Sequence, residues 1–252
     1  MRIGFDLDGV LADMESELMR QAEILFGEAM TRRLAERAAN PQRQPATPGE
    51  SNGNEDDSAG PESPPAPPAP DEDTPPLVRL DMTARQERKL WRHVESIENF
   101  WETLDELEPG IVRRLGTLAR ERRWEIIFLT RRPETAGATA QVQTQRWLES
   151  KGFPLPSVFV VRGSRGLIAA SLDLHVVVDD RPENCLDVVV DSKARAILVA
   201  RENQKAAPVA TRRLGIGVVK TTAECLDILT EAEATSTDRP TMMTRVRKLL
   251  GL

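Results

Sequence analysis

Two carboxylates stand two positions apart at the end of a short apolar run, where Ile3-Gly4-Phe5 leads into Asp6-Leu7-Asp8-Gly9. On a β-strand, residues i and i+2 point to the same face, and a glycine directly afterwards lets the chain turn sharply. The pattern predicts Asp6 and Asp8 side by side at the carboxyl end of a strand, the edge where open α/β sheets hold their ligands. Two like charges that close call for a cation or a shared proton. An all-oxygen ligand set suits Mg²⁺.

Three other segments carry unusual residues straight after an apolar run. Thr130-Arg131-Arg132-Pro133 follows 126–129, Arg162-Gly163-Ser164-Arg165 follows 158–161, and Asp179-Asp180-Arg181-Pro182-Glu183-Asn184 follows 176–178. Strands that are apolar throughout and joined by helical crossovers form a parallel sheet covered on both faces. In such a sheet all these strand ends share one edge. A hydroxyl, a cation and four carboxylates on that edge describe a site for a phosphate and a divalent metal.

The elements that must position these groups read as alternating helices and strands from residue 111 onward. Helices are expected over 111–122, 135–151, 167–172 and 182–190, and strands over 126–129, 158–161, 176–178, 196–199 and 218–219. Upstream, 14–38 and 83–107 have apolar residues near helical spacing, with Pro109-Gly110 ending the second stretch. A two-helix unit thus lies between the first strand and the rest of the sheet. The polar tail ends in a predicted short helix over 241–250, with Pro240 ahead of it.

Between the two upstream helices, residues 40–76 hold eleven of the eighteen prolines. The same segment has eight acids against one base, so it carries −7 of a net −6 and leaves +1 for the rest of the chain. With almost no bulky apolar residues it has no burial to offset its ordering entropy, and it is expected to be disordered and polyproline-biased. It reads as a tolerated surface insert or as a docking segment for a protein partner. The remaining near-neutral charge argues neither for a nucleic-acid polymer nor for a membrane surface, and neither is expected as partner.

No apolar run reaches the roughly 20 residues needed to span a bilayer, and the first strand starts at residue 1 or 2. Cys185 and Cys225 read as two small hydrophobes in a reducing compartment. The expectation is a cytoplasmic protein.

The segment 6–10, with a strand-end Thr130 and the distal Asp179-Asp180, resembles the haloacid dehalogenase (HAD) superfamily of phosphatases over residues 1–13 and 108–220. Within it, 6–13 and 179–182 look most like the 5′(3′)-deoxyribonucleotidase branch, and Asn99-Phe100-Trp101-Glu102 with Leu107-Glu108-Pro109-Gly110 is similar to that branch's cap-to-core return. The resemblance implies a three-layer, Rossmannoid parallel α/β sheet as core (1–13 and 108–230), a helical cap inserted after the first strand (14–107), and a tail over 231–252. It implies Asp6 as nucleophile forming an aspartyl-phosphate, and Asp8 as general acid and then base. It further implies a Mg²⁺ ion bound by Asp6, the main-chain carbonyl of Asp8, and Asp179 or Asp180, with Thr130 and the following amides on the phosphate. The substrate would be a small phosphorylated metabolite, with a deoxynucleoside monophosphate first.

One departure stands out: the family places a lysine before its last acidic motif, and here no lysine lies between Lys151 and Asp179. Arg165 is the best substitute, although arginine and lysine are not equivalent at a close-packed phosphate. Two alternatives therefore stay open, a phosphatase for another metabolite such as a phosphosugar, and a catalytically degenerate binding protein. Arg131 and Arg132 either neutralise phosphate or are solvated. Trp91, Phe100 and Trp101 are read as core more than as a base-stacking surface. Asp13 either touches the pocket or caps the next helix, and Trp147 packs its helix onto the sheet. His93 and His175 lack partners at zinc-ligand spacing.

Overall fold

A computed structural model describes residues 1–39, 80–201 and 214–237. The acidic proline-rich insert and the C-terminal helix expected over 241–250 lie outside the described residues. Six strands, β1 (Arg2–Asp6), β2 (Glu125–Thr130), β3 (Ser157–Val160), β4 (Val176–Asp179), β5 (Arg195–Val199) and β6 (Gly217–Val219), form one sheet in the order β3-β2-β1-β4-β5-β6. Every pairing is parallel. The chain goes outward from β1 through β2 to β3 and then crosses back to β4 on the other side of β1. The crevice at the carboxyl end of β1 and β4 is thus the topological switch point.

Strand alternation builds the layers. Ile3, Phe5, Ile126, Phe128, Val176, Val178, Ile197 and Val199 face one side and share a core with α4 (Ile111–Arg122), α5 (Ala140–Ser150) and α8 (Thr222–Thr237). Leu129, Val177, Ala196 and Leu198 face the other side and pack beneath α6 (Arg165–Ser171) and α7 (Pro182–Asp191). A period of two with apolar residues at both phases is what a doubly covered sheet demands. The three-layer α/β architecture expected from the sequence is the one found.

Between β1 and α4 the described residues form three helices, α1 (Met14–Phe26), α2 (Glu28–Ala39) and α3 (Ala84–Glu95), and a short 3₁₀ turn (Phe100–Glu102). The single helix expected over 14–38 is broken at Gly27, whose φ of 85° leaves the helical region at low steric cost. Asp13 caps α1, its Oδ1 accepting from the Ser16 amide at 3.0 Å. The stretch expected as one helix over 83–107 starts with a capping box at Thr83 and Gln86 but ends at Glu95. Asn99 then takes a left-handed conformation, accepts from the Ala138 amide and donates its own amide to Ala136. Hydrogen bonding to the loop after β2 has outweighed helical periodicity there. The same loop explains why α5 begins at Ala140, capped by Thr139, rather than at 135.

Trp91, Phe100, Trp101 and Trp147 are all buried in the first core. Trp101 Nε1 donates to the Pro133 carbonyl at 2.9 Å, its amide donates to Gln143 Oε1 at 3.0 Å, and Trp147 Nε1 donates to the Leu104 carbonyl at 2.7 Å. The return segment after α3 is therefore fastened to the sheet domain by buried hydrogen bonds.

Candidate active site at the switch point

Asp6, the last residue of β1, shares the strand phase of Gly4 and so points to the α6–α7 side. Asp179, the last residue of β4, shares the phase of Val177 and points the same way. Oxygen atoms of Asp6, Asp179 and Asp180 lie within 4.8 Å of one another. Arg165, the first residue of α6, is 1% exposed and reaches both strand ends: Nη2 donates to Asp6 Oδ1 at 2.7 Å, and Nε is 3.5 Å from Asp179 Oδ2. Asp179 also accepts from the Arg181 amide at 2.9 Å and from Asn184 Nδ2 at 3.0 Å on each oxygen. Pro182 at the head of α7 fixes where that helix starts and hence where Asn184 sits.

Burial sets the electrostatics. Desolvation, then repulsion from Asp179, holds the Asp6 carboxyl well above its usual range, and Arg165 only partly opposes this. Desolvation likewise raises Asp179, against the pull of Arg165 and the amide of Arg181. Three carboxylates converge here, two of them against Arg165, and their oxygen donors suit a hard divalent cation. Arg165 Nη1 is buried and has no hydrogen-bond partner among the described residues. An anion beside Asp6 would satisfy it.

Asp8 lies elsewhere than its spacing suggested. β1 ends at Asp6, so the same-face rule stops one residue before Leu7, and the Asp8 carboxylate is not among the three clustered ones. It is held instead by Arg132, whose Nη2 donates to Oδ1 at 2.7 Å and whose Nε lies 3.2 Å from Oδ1 and 3.0 Å from Oδ2. Thr130 Oγ1 donates to Oδ2 at 3.3 Å and accepts from the Arg132 amide at 3.3 Å. Thr130 is therefore a strand-end hydroxyl beside Asp8 and not the N-cap of α5. Arg131 turns away, its Nη2 donating to the Gly163 carbonyl at 3.3 Å. The structure thus brings Asp6, Asp179, Asp180 and Arg165 together, places Asp8 and Thr130 next to them on the same edge, and points Arg131 at the neighbouring loop.

Two supports hold the turn between these groups. A Cβ on Gly9, at φ 83°, would lie 2.0 Å from Asp180 Oδ2, so the turn is moulded against that carboxylate. Behind it, Arg201 donates from Nε to the Gly9 carbonyl at 3.2 Å and from Nη2 to the Val10 carbonyl at 3.3 Å. Thr222 Oγ1 donates to the same Val10 carbonyl at 2.6 Å. Glu108 accepts from Arg201 Nη2 and from the amides of Thr222 and Ala223 at the start of α8. A carboxylate at a helix N-terminus is favoured by the exposed amides and the dipole.

Sequence reasoning gave no role to Asn184 and left Arg132 undecided. Asn184 sits one turn into a helix started by Pro182, which a proline at N1 makes readable. Arg132 has no comparable spacing cue, because its role depends on tertiary packing against Trp101. Of the other residues weighed, His93 Nε2 is paired with Gln21 Oε1 at 3.0 Å, and His175 Nδ1 accepts from the Arg2 amide at 3.0 Å. Cys185 and Cys225 are buried and unpaired, with burial pushing the Cys225 thiol up to about 12. Among the described residues no helix is long and apolar enough to cross a membrane.

No protein-family model matches the chain, and no curated protein matches it by sequence. Solved structures do match. A protein from Thermotoga maritima named for β-phosphoglucomutase aligns at a TM-score of 0.50 and 18% identity, covering 91% of this chain and 98% of its own. A HAD family hydrolase from Deinococcus radiodurans R1, with bound phosphate and sodium, aligns at a TM-score of 0.50 and 14% identity, covering 92% and 96%. At these identities the likeness is one of fold, and it is the HAD-type α/β fold.

Proposed function

We propose that this protein is a Mg²⁺-dependent phosphomonoester hydrolase working through an aspartyl-phosphate on Asp6. The observation that carries the reading is the convergence of buried Asp6 and Asp179, both against buried Arg165, with half-buried Asp180 at the switch point of a HAD-type sheet. Keeping carboxylates so crowded out of water is costly, and a phosphate–metal site gives them a purpose.

Phosphoryl transfer needs positioning and charge neutralisation more than a strong nucleophile. A carboxylate oxygen of Asp6 would attack phosphorus while the bond to the leaving oxygen breaks and Asp8 gives that oxygen a proton. Water would then attack the aspartyl-phosphate, the bond from phosphorus to Asp6 would break, and Asp8 would take the water's proton. Arg165 would neutralise Asp6 and offer its buried Nη1 to a phosphate oxygen, with Thr130 offering a hydroxyl; Arg131 would need to leave Gly163 to take part. Asp6, the Asp8 carbonyl, Asp179 and Asp180 would hold Mg²⁺, which when bound shields the approach of two anions.

The substrate class follows less directly. The motif resemblance supports a deoxynucleoside monophosphate. The burial of Trp91, Phe100 and Trp101 takes those rings out of reach of a base and favours a smaller metabolite such as a phosphosugar, in line with the name of the Thermotoga maritima protein. A cytoplasmic setting, with residues 14–107 acting as a cap, belongs to the same reading and is supported by the two buried thiols.

The test is a panel of pyrimidine deoxynucleotides and sugar phosphates with added Mg²⁺, run on wild type and Asp6→Asn in parallel. Turnover by wild type alone is expected. Equal rates in both proteins would overturn the assignment of Asp6, and turnover of nucleotides but not sugars would restore the deoxyribonucleotidase reading.

A further inference from the structure

We propose that Arg132 is a positioning residue that fixes Asp8 for proton transfer, leaving Oδ2 as the oxygen that moves the proton; this rests on the phosphohydrolase reading above. The side chain of Arg132 is fully buried, and its guanidinium is spent on protein groups. Nη2 and Nε grip Asp8, and Nη1 donates to Thr144 Oγ1 on α5 at 3.0 Å. The guanidinium also stacks 4.9 Å from the ring centre of Trp101 and 5.8 Å from that of Trp147. Both rings are locked in turn by their indole N–H bonds to Pro133 and Leu104. Every nitrogen of this enclosed guanidinium already has a protein partner, so of the two adjacent arginines this one serves the carboxylate.

The two oxygens of Asp8 are held unequally. Oδ1 takes the short 2.7 Å bond from Nη2 as well as the 3.2 Å contact from Nε. Oδ2 has the 3.0 Å contact from Nε and a 3.3 Å hydroxyl from Thr130, long for an O–H···O bond. Oδ1 is the anchored oxygen. Oδ2 can exchange the Thr130 hydroxyl for the leaving-group oxygen or the attacking water. The stack on Trp101 extends this control to the segment returning from α3, which joins the cap region to the sheet domain. A planar fork that binds a carboxylate at two points while sitting over an indole is an arginine property that lysine lacks.

The experiment uses full-length protein, Mg²⁺ and 4-nitrophenyl phosphate, a substrate whose leaving group needs no proton. If Arg132 acts through Asp8, Arg132→Met keeps the first step and loses the second. Nitrophenolate should appear in a burst of about one equivalent, with a burst rate within roughly tenfold of wild type, while the steady-state rate falls on the order of 10²- to 10³-fold. The protein should then carry the mass of one phosphoryl group on Asp6. Asp8→Asn should behave the same way, and adding Arg132→Met to it should cost little more, as for two residues acting as a unit. Arg132→Lys, which keeps charge and most of the volume, should show the same split and serves if Arg132→Met does not fold. Equal loss of burst and steady state in the folded variants, or wild-type behaviour, overturns the proposal while leaving the phosphohydrolase reading intact. A wild type that never phosphorylates Asp6 overturns both.

Discussion

Asp6 and Asp8 are separated by one residue and have opposite surroundings. Asp6 ends a strand, faces the α6–α7 side, and meets two other carboxylates with one arginine between them. Asp8 lies beyond the strand, within reach of Thr130 and Arg132 on the side of α5, where an arginine fork is its chief partner. The first environment crowds like charges together and suits a cation. The second is locally neutral and geometrically rigid. Two carboxylates placed in environments this different can be given different tasks, which is how one site runs nucleophilic and acid–base chemistry together.

The sharpest way to break that comparison is to delete each carboxylate. Asp6→Asn should lower turnover by about 10⁴-fold or more, with no phosphoryl group trapped, whereas Asp8→Asn should trap one. If both variants fail at the same step, the division of labour is wrong.

Removing the two arginines comes next. Each loss leaves buried carboxylates unpaired and should destabilise the fold by about 3–5 kcal/mol in denaturant melts. Added metal should tell them apart. Mg²⁺ at about a hundred times its Kd stabilises a binding-competent fold by roughly 2.7 kcal/mol. Arg132→Met, whose clustered carboxylates are intact, should gain as much as wild type, whereas Arg165→Met, where the cation also takes over neutralisation, should gain more. Equal gains in the two variants would show that the two pairs are not electrostatically distinct.

A smaller effect separates the sites by pH. The folded Asp6 and Asp179 carboxyls hold their protons above the value of 3.8 expected when unfolded. In the metal-free protein the folded state then binds more protons than the unfolded one, and stability falls as pH rises from that value through the folded-state range. Thermal melts at increasing pH should show this loss in wild type, and less of it in Asp6→Asn or with Mg²⁺ present. A flat profile in metal-free wild type would remove the raised carboxyls from the account.

The mildest probe is Gly9→Ala. Forcing a side chain into the left-handed region costs about 1–2 kcal/mol, and its Cβ would displace Asp180. Weaker Mg²⁺ binding should accompany a modest loss of stability. Unchanged metal affinity would mean that Asp180 can move away freely.

Much of this was readable from residue order. Apolar runs punctuated by turn residues located all six strands to within a residue or two of their ends, and the carboxylates at the ends of β1 and β4 were visible as acids breaking apolar runs. What escaped notice depended on three-dimensional closure. The periodicity of 83–107 favoured a long helix, but buried hydrogen bonds from Asn99 and Trp101 to the loop after β2 ended it early. The same-face rule paired Asp8 with Asp6, because nothing in the residues alone says that the strand stops in between. Residue order leaves Arg132 open between a phosphate ligand and a solvated charge, and its packing against Trp101 and Trp147 is what assigns it to Asp8.

The brace formed by Arg201, Glu108 and Thr222 has a consequence for biosynthesis. The carbonyls of Gly9 and Val10 are held by groups 192 and 212 positions downstream, so the opening turn emerges from the ribosome long before its buttress exists. A nascent or shortened polypeptide lacking the region around residue 222 would carry both acids of the first motif and still lack the scaffolding that sets them, and whatever reactivity they have would be withheld until that region had been made.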